Sequence, residues 1–452
     1  MVKESGDYWM KNRLFAIVII IALAIVPVFG QANSNGKPPA GNPSEPTTLK
    51  ATYVQSGGSV AKTAIPFAAT EADTSAIYVN AKGLLDLVNA TLSKRGDTSS
   101  EDTSNFYGLN AAMVASGGAS ISLKDSTITT SANGSNGVFA TGDGSKVTVS
   151  NVIINTTKNS SRGLDATYNG TIVADKATIT TSGEHCAALA TDRGEGTVTV
   201  TNSKCKTFGA GSPGIYSTGN ISASDSSFIA SGSEAAVIEG KNSIALKNTD
   251  ISGTKRCGVM IYQSFSGDAS VGTGNFSMTG GTLTAASGPL FYSTNTKAAI
   301  NLNGVKLVIG SGVSNESDST LVLFKAGADQ WGTAGSNGAQ VTFNASNQKL
   351  DGSVEIEKGS SISLVLVSSS SLSGAVNKTH TSGTASISLD ASSRWNVTAD
   401  SYVAALADGN AQFANILSNG NNVYYDAANA SNKALNGKTY LLAGGGKLTP
   451  VK

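Results

Sequence analysis

The chain has 452 residues, and its 32 Lys and Arg nearly balance its 31 Asp and Glu, which leaves a net charge of +1. Charged residues make up only 14% of the sequence, and this excludes the clustered Lys and Arg of a nucleic-acid or polybasic membrane surface. Hydrophobic residues at 40% are too many for a disordered chain, and 51 Gly beside 9 Pro are not collagenous. A chain this rich in glycine and other small residues suits a repetitive β architecture.

The N-terminus is predicted to be a targeting segment. A signal peptide is expected over residues 1–32, where basic residues precede the apolar run Leu14–Val26 and a small-x-small cleavage site follows it. The run is short, so cleavage is favoured over retention as an uncleaved anchor, and no membrane span is expected in the mature chain. Met1 and Met10 are both candidate starts. A linker rich in Pro, Gly and Asn is expected over residues 33–49.

A repeated unit organises the chain from Lys50 onward. In one copy Ile121 and Leu123 alternate as a half-buried strand does, Asp125 takes a turn, and Ile128 returns to the core. The turn column holds Asp, Asn or Gly in nearly every copy, and these types adopt a left-handed backbone readily. The well-aligned copies begin at Ile121, Val147, Ile172, Val198, Ile221, Ile244, Phe276 and Ile300.

A second short apolar strand follows most of these units, as in Gly137–Thr141 and Gly214–Thr218. The pattern predicts an all-β fold, a right-handed parallel β-helix with irregular terminal coils. About 12 coils are expected over residues 50–405, with closing coils over 406–452. A series of β-sandwiches is the rival fold, and it would need hairpin turns at half this spacing.

Several phrases carry a resemblance to a known family: Ala190–Gly194, Gly211–Gly219, Ser233–Gly240, Gly258–Ser264 and Gly437–Gly446. The chain resembles the secreted, adhesin-like right-handed β-helix proteins of bacteria and methanogenic archaea. More narrowly, it is similar to a sheath-forming member from a filamentous methanogen. The resemblance spans almost the whole mature chain. It implies an envelope or extracellular location and supplies no catalytic residues.

Some parallel β-helices cleave polysaccharides, which makes an enzyme a candidate function for this fold. Asn248-Thr249-Asp250 resembles an element of polygalacturonases, but the paired Asp-Asp and the Gly-His-Gly of that family are missing from the sequence. Asn248 also occupies the turn column. Asp192, Arg193 and Glu195 are the nearest approach to the acidic and basic cluster of a lyase. We therefore expect no enzyme, no catalytic residues and no cofactor.

A metal site is not expected either. His185 and His380 share no ligand spacing with Cys or carboxylate residues. Asp97, Glu101 and Asp102 lie in a polar insertion and could gather Ca²⁺, although an acidic solvated loop is the commoner outcome. Glycosylation sequons are present, and the exported context permits their use. The candidate N-glycosylation sites are Asn155, Asn159, Asn169, Asn220, Asn275 and Asn396.

Three cysteines leave an odd thiol in a chain that is predicted to be exported. Cys205 occupies a core column and is expected to be a buried thiol. Cys186 and Cys257 share a turn position three coils apart, too far for a disulfide within one rod. Basic neighbours at both sites favour reactive thiolates, so we expect at least one disulfide between molecules. The alternative is that both thiols are half-buried and inert.

These features predict an exported structural protein of the cell surface that assembles into an extracellular layer, sheath or filament, with an adhesive or protective role. Its expected partner is another copy of itself, through the ends or flanks of the rod, with cell-envelope polysaccharide as a further partner and no nucleic acid. The alternative function is that of a polysaccharide-binding or polysaccharide-cleaving β-helix protein.

Overall fold

A computed structural model describes residues 48–310, 314–315, 318–328 and 331–451. The predicted signal peptide and most of the predicted linker lie outside these ranges. The described chain is nearly all parallel β-strand, with about 3% helix, wound into a solenoid of about 16 turns. The predicted parallel β-helix is confirmed, with more turns than the repeat count gave, because parallel pairing continues to the strand Lys447–Pro450. Its right-handedness stays a prediction.

Each central turn of the solenoid contributes one strand to each of three sheets. The strands of sheet 1 are Lys50–Ser56, Thr74–Asn80, Met113–Ala115, Val138–Thr141, Leu164–Thr167, Leu189–Thr191, Ile215–Ser217, Ala236–Glu239, Val259–Tyr262, Phe291–Thr294, Asp318–Gly327 with the antiparallel Ser314–Asn315, and Ser353–Ile356.

Sheet 2 follows sheet 1 in every turn. Its strands are Ser59–Thr63, Leu84–Val88, Ser120–Thr130, Lys146–Thr156, Thr171–Asp175, Thr197–Thr201, Asn220–Ser224, Ser243–Lys247, Thr273–Thr279, Lys297–Asn303, Gln340–Ser346, Ser361–Val367, Thr384–Leu389 and Ala405–Asp408. Sheet 3 comes after the turn column. Its strands are Pro66–Ala69, Thr91–Lys94, the second halves of Ser120–Thr130 and Lys146–Thr156, Thr178–Thr181, Lys204–Thr207, Ser227–Ala230, Asp250–Gly253, Thr282–Ala285 and Lys306–Ile309.

Two further four-stranded sheets make up the C-terminal turns. One contains Lys349–Asp351, Ser371–Ser373, Arg394–Asn396 and Ile416–Leu417, and the other contains Ser401–Val403, Val423–Tyr425, Lys447–Pro450 and Tyr440–Leu441. Within the described residues, short helices interrupt the solenoid at two places, the α-helix Glu101–Tyr107 and the 3-10 helix Ala430–Leu435. In the described part of the chain, no helix has the length and apolarity that crossing a membrane requires.

The predicted turn column adopts the left-handed backbone that its residue types favour. Asp125, Asn151 and Asn248 have φ of 50°, 55° and 47°, and the other copies are also positive. Turn side chains of successive coils are hydrogen-bonded, since Asn151 Nδ2 donates to Asp125 Oδ1 at 2.7 Å. The shared backbone conformation and these hydrogen bonds stack the turns of successive coils directly on one another.

The apolar columns form one continuous core. In the column after the turn, parallel register stacks Ile128, Ile154, Ile179, Cys205, Phe228 and Ile251, each no more than 2% exposed. Burying a side chain of this size stabilises the fold by roughly 1.5–3 kcal/mol. No single coil can bury such a face alone, so each depends on its neighbours.

The α-helix Glu101–Tyr107 falls at the end of the polar insertion seen in the sequence. Ser100 caps its N-terminus, where Ser100 Oγ accepts a hydrogen bond from Thr103 N at 3.2 Å. Gly108 ends it with φ of 76°, and a Cβ there would lie 2.7 Å from the Phe139 ring. Only glycine allows the helix to sit this close to sheet 1.

Candidate functional site

The outer face of sheet 1 holds a buried strip of polar residues. Its members are Arg162, Asp165, Asp192, Arg193, Glu239 and Asp268. The middle strands of sheet 1 are buried on both sides, whereas the outer side of sheet 2 is exposed or half-buried. The α-helix Glu101–Tyr107 covers one part of the strip, since Thr167 Oγ1 donates to Phe106 O at 2.8 Å. Residues 263–272 cover another part. Titratable side chains therefore lie between the sheet and these two covering segments.

An ion pair and a second carboxyl occupy the first part of the strip. Arg162 Nε lies 2.6 Å from Asp192 Oδ2, and both side chains are about 5% exposed or less. Asp192 N donates to Asp165 Oδ1 at 3.3 Å. Burial raises the pKa of Asp165 well above its usual range, and the negative charge of Asp192 raises it further. Both effects favour the protonated form of Asp165.

Arg193 connects the two covering segments. Its guanidinium carbon lies 3.9 Å from the centre of the Phe106 ring on the helix. Its Nε donates to Asp268 Oδ1 at 2.9 Å in the segment 263–272. Burial raises the pKa of Asp268, although the pairing with Arg193 opposes that shift. One side chain thus holds both covers over the strip.

Glu239 is the most heavily hydrogen-bonded carboxylate of the strip. Its Oε2 accepts from Tyr216 Oη at 2.8 Å and from Tyr262 Oη at 3.1 Å. Its Oε1 accepts from Ser264 N at 3.3 Å, from Ser264 Oγ, and from Ser266 Oγ at 3.2 Å. Burial raises the pKa of Glu239, and these donors oppose the shift. The carboxylate anchors the covering segment to the sheet.

The strip contains several titratable side chains, but its carboxyls Asp165 and Glu239 are shielded from solvent. General acid–base work on a substrate requires a carboxyl within hydrogen-bond reach of the reacting atom. Asp165 and Glu239 are fully buried, and the contacts of Glu239 are made within the protein. In this arrangement Glu239 ties the segment 263–272 to the rod.

The sequence had brought Asp192, Arg193 and Glu195 together as the nearest approach to a lyase cluster. In the structure these three residues have different partners. Asp192 pairs with Arg162, and Arg193 pairs with Asp268. On the surface, Glu195 Oε1 lies 2.7 Å from Lys241 Nζ. They do not converge on one point.

The other candidate motifs occupy surface or turn positions. Asn248 is a turn residue, Thr249 is buried and Asp250 is exposed. Asp97 accepts from Asn133 N at 2.8 Å, Glu101 accepts from Ser160 Oγ at 2.6 Å, and Asp102 is exposed. His380 stacks on Tyr402 with ring centroids 4.1 Å apart, and His185 is a half-buried turn residue with φ of 55°. Within the described ranges, no three His, Cys, Asp or Glu side chains are grouped closely enough to hold a metal ion.

The candidate glycosylation sites are reachable from solvent. Asn159, Asn169, Asn220 and Asn275 are exposed, and Asn155 and Asn396 are half-buried. Their use stays a prediction.

The cysteines are all buried free thiols. Burial raises the pKa of Cys186 to about 11 and that of Cys257 well above its usual range, so the expected thiolates are wrong: burial outweighs the basic neighbours. Cys186 replaces serine in an internal ladder, where Ser161 N donates to Cys186 Sγ at 3.3 Å and Cys186 N donates to Ser212 Oγ at 3.0 Å. Cys205 lies in the core column, as expected. The disulfide between molecules stays a prediction, and it requires a turn to open first.

The two ends of the rod carry polar groups that limit strand pairing. In the first turn, Lys62 is in register with the buried Leu87, and its ammonium lies 5.2 Å from the Tyr53 ring centre. An inward-pointing charge discourages pairing at a sheet edge. At the other end, Asn432 Oδ1 accepts from Leu406 N at 3.0 Å, and Asn432 Nδ2 donates to Ala404 O at 2.8 Å.

No family model, curated protein or solved structure matches the chain. The resemblance to secreted adhesin-like proteins therefore stays a prediction that rests on the sequence phrases alone.

Sequence reasoning missed the principal members of the buried strip, Arg162, Asp165, Glu239 and Asp268. A signal was present for two of them. Asp165 and Glu239 are charged residues in second-strand repeats that are otherwise apolar or small. For Asp268 the sequence offers none, because its partner Arg193 is 75 positions away.

Proposed function

We propose that the protein is an exported structural protein of the cell surface, one that assembles with itself into an extracellular layer, sheath or filament. The observation that carries the proposal is the long parallel solenoid, about 16 turns, in which Arg193 and Glu239 hold the segment 263–272 against the rod. A rod of about 75 Å follows from about 4.8 Å per turn. Resistance to unfolding and to proteolysis suits an adhesive or protective role outside the cell.

The predicted signal peptide and the accessible sequons support export and a location at the cell surface, in a sheath or in the cell wall. The exposed Ser, Thr and Asn of sheet 2 offer hydrogen bonds to a second copy and to cell-envelope polysaccharide. The burial of the strip supports a structural role over polysaccharide cleavage, because Asp165 and Glu239 are fully buried.

The test combines location, assembly and activity. Antibodies against the mature chain should label the outside of intact cells, and the purified mature chain should form regular particles or polymer under the electron microscope. A panel of polysaccharides should show no depolymerisation. A cytoplasmic location would contradict the proposal, as would a strictly monomeric chain at high concentration or cleavage of any polysaccharide.

A further inference from the structure

The outer face of sheet 2 is a long, open and nearly uncharged surface. Its fourteen strands run in parallel register, and their outward side chains are exposed or half-buried throughout the described chain. Three outward positions shared by the strands form three columns along the rod, and the longer strand Lys297–Asn303 adds a fourth outward position, the exposed Lys297. In these columns the charged side chains are Asp86, Lys124, Lys146, Asp175 and Lys247.

Assembly through a flank is favoured over assembly through the ends. Lys62 places a charge in the core column of the first turn. At the last strand of sheet 2, the Asn432 side chain is hydrogen-bonded to Leu406 N and to Ala404 O. The strand Lys447–Pro450 is paired on both sides, by Val423–Tyr425 and by Tyr440–Leu441. Each of these features makes pairing with another chain less favourable at the strand where it lies.

The charges in the middle of the sheet are arranged to complement themselves. Asp175 and Lys247 lie in one column, with Thr201 and Ser224 between them. A twofold axis parallel to the strands, passing midway between Thr201 and Ser224, exchanges these two positions. Two copies related by that axis run in opposite directions, and each Asp175 then faces Lys247 of the second copy.

We propose that two copies of this chain pack face to face through sheet 2 about this twofold axis, with two Asp175–Lys247 ion pairs across the interface. The inference rests on the proposed function and names the first contact of assembly. It also avoids like-charge contacts: in the same register Asp86, Lys124 and Lys146 face uncharged residues of the second copy. Those residues are Asn344, Asn303 and Asn275.

The size and shape of the face suit a stable dimer. Fourteen strands at about 4.8 Å and about 16 Å of strand length give about 1,000 Å² per copy. If each copy buries two-thirds of that area, the total over both copies falls within the roughly 1,200–2,000 Å² that stable interfaces bury. A shallow trough beside the proposed axis is lined by Thr199, Ser222 and Ala245 and extends to Lys247, so small side chains let the two sheets approach closely next to the proposed ion pair.

Charge reversal of the full mature chain tests the proposal. Sedimentation equilibrium should show a dimer for the parent chain, with a dissociation constant that rises with salt. Asp175→Lys and Lys247→Asp should each weaken the dimer at least tenfold, because each turns two attractions into two repulsions. The double variant should return to within threefold of the parent. Lys204→Asp makes a charge reversal of equal size on sheet 3, and it should change the dimer less than threefold.

The outcomes separate this inference from the proposed function. If the single variants dimerise like the parent, or if the double variant fails to restore the dimer, this interface is wrong. If the parent is a monomer in sedimentation yet polymerises under the microscope, the interface is also wrong while the structural function stands. If it neither dimerises nor polymerises, both fail. Circular dichroism spectra of all variants should match that of the parent and so show that each variant still folds, since these side chains lie on the outer face of sheet 2.

Discussion

Removing the Glu239 carboxylate should release the segment 263–272 from the rod. In Glu239→Ala the two tyrosine hydroxyls, the Ser264 N–H and the two serine hydroxyls lose five hydrogen bonds to that carboxylate. At about 1 kcal/mol net for each bond, the free energy of unfolding should fall by about 5 kcal/mol. Glu239→Gln should cost only about 1–2 kcal/mol, because its amide oxygen can still accept from Ser264 while the tyrosine hydroxyls turn to accept from its NH₂.

Two measurements check this expectation. Urea unfolding should report the loss through Trp331, whose ring centre lies 5.7 Å from that of Tyr262. Hydrogen exchange should show faster exchange in residues 263–272 of the Ala variant. Glu195→Ala is the matched control: its partner Lys241 is exposed, so the loss should stay under about 1 kcal/mol. An Ala variant within 0.5 kcal/mol of the parent, with unchanged exchange, would refute the anchoring role.

Three further predictions concern the core, the turns and the thiols. Ile179→Asp buries an unpaired carboxylate and should lower the free energy of unfolding in urea by several kcal/mol. Thr180→Asp is the control, because Thr180 is half-buried on the outer side, and it should cost under about 1 kcal/mol. Equal losses for the two variants would mean that the inward register is wrong. Asn151→Gly and Asn151→Val both lose the hydrogen bond to Asp125, but only Val is strained at a φ of 55°, so urea unfolding should show the Val variant to be about 1–2 kcal/mol less stable than the Gly variant. The Cys186 thiol keeps its proton up to a pKa of about 11 when folded and loses it near 9 when unfolded, so its contribution to stability falls as pH rises from 9 to 11, by at most about 2.7 kcal/mol. Cys186→Ser should remove that part of the pH dependence in unfolding measured at pH 8 and 10.5, and an unchanged slope would contradict the burial argument.

The sequence by itself determined the fold and the register of its core. Alternating apolar residues such as Ile121 and Leu123, followed by a turn residue such as Asp125, are local patterns, and the backbone obeys them within a few residues. Repetition then fixes the stacking, because a coil that cannot bury its own apolar face must pair with the next.

Only the tertiary structure decided what the polar residues contact. Neighbours in sequence, Asp192 and Arg193, pair with Arg162 and Asp268, which lie 30 and 75 positions away. Cys186 looked like a reactive turn thiol, yet it lies inside a ladder of serines from the coils on either side. In a solenoid, each turn places a side chain beside residues about 25 positions distant. The environment of a charge or thiol is therefore set by the stacking and by the segments folded over it, whereas its own local sequence sets only the backbone.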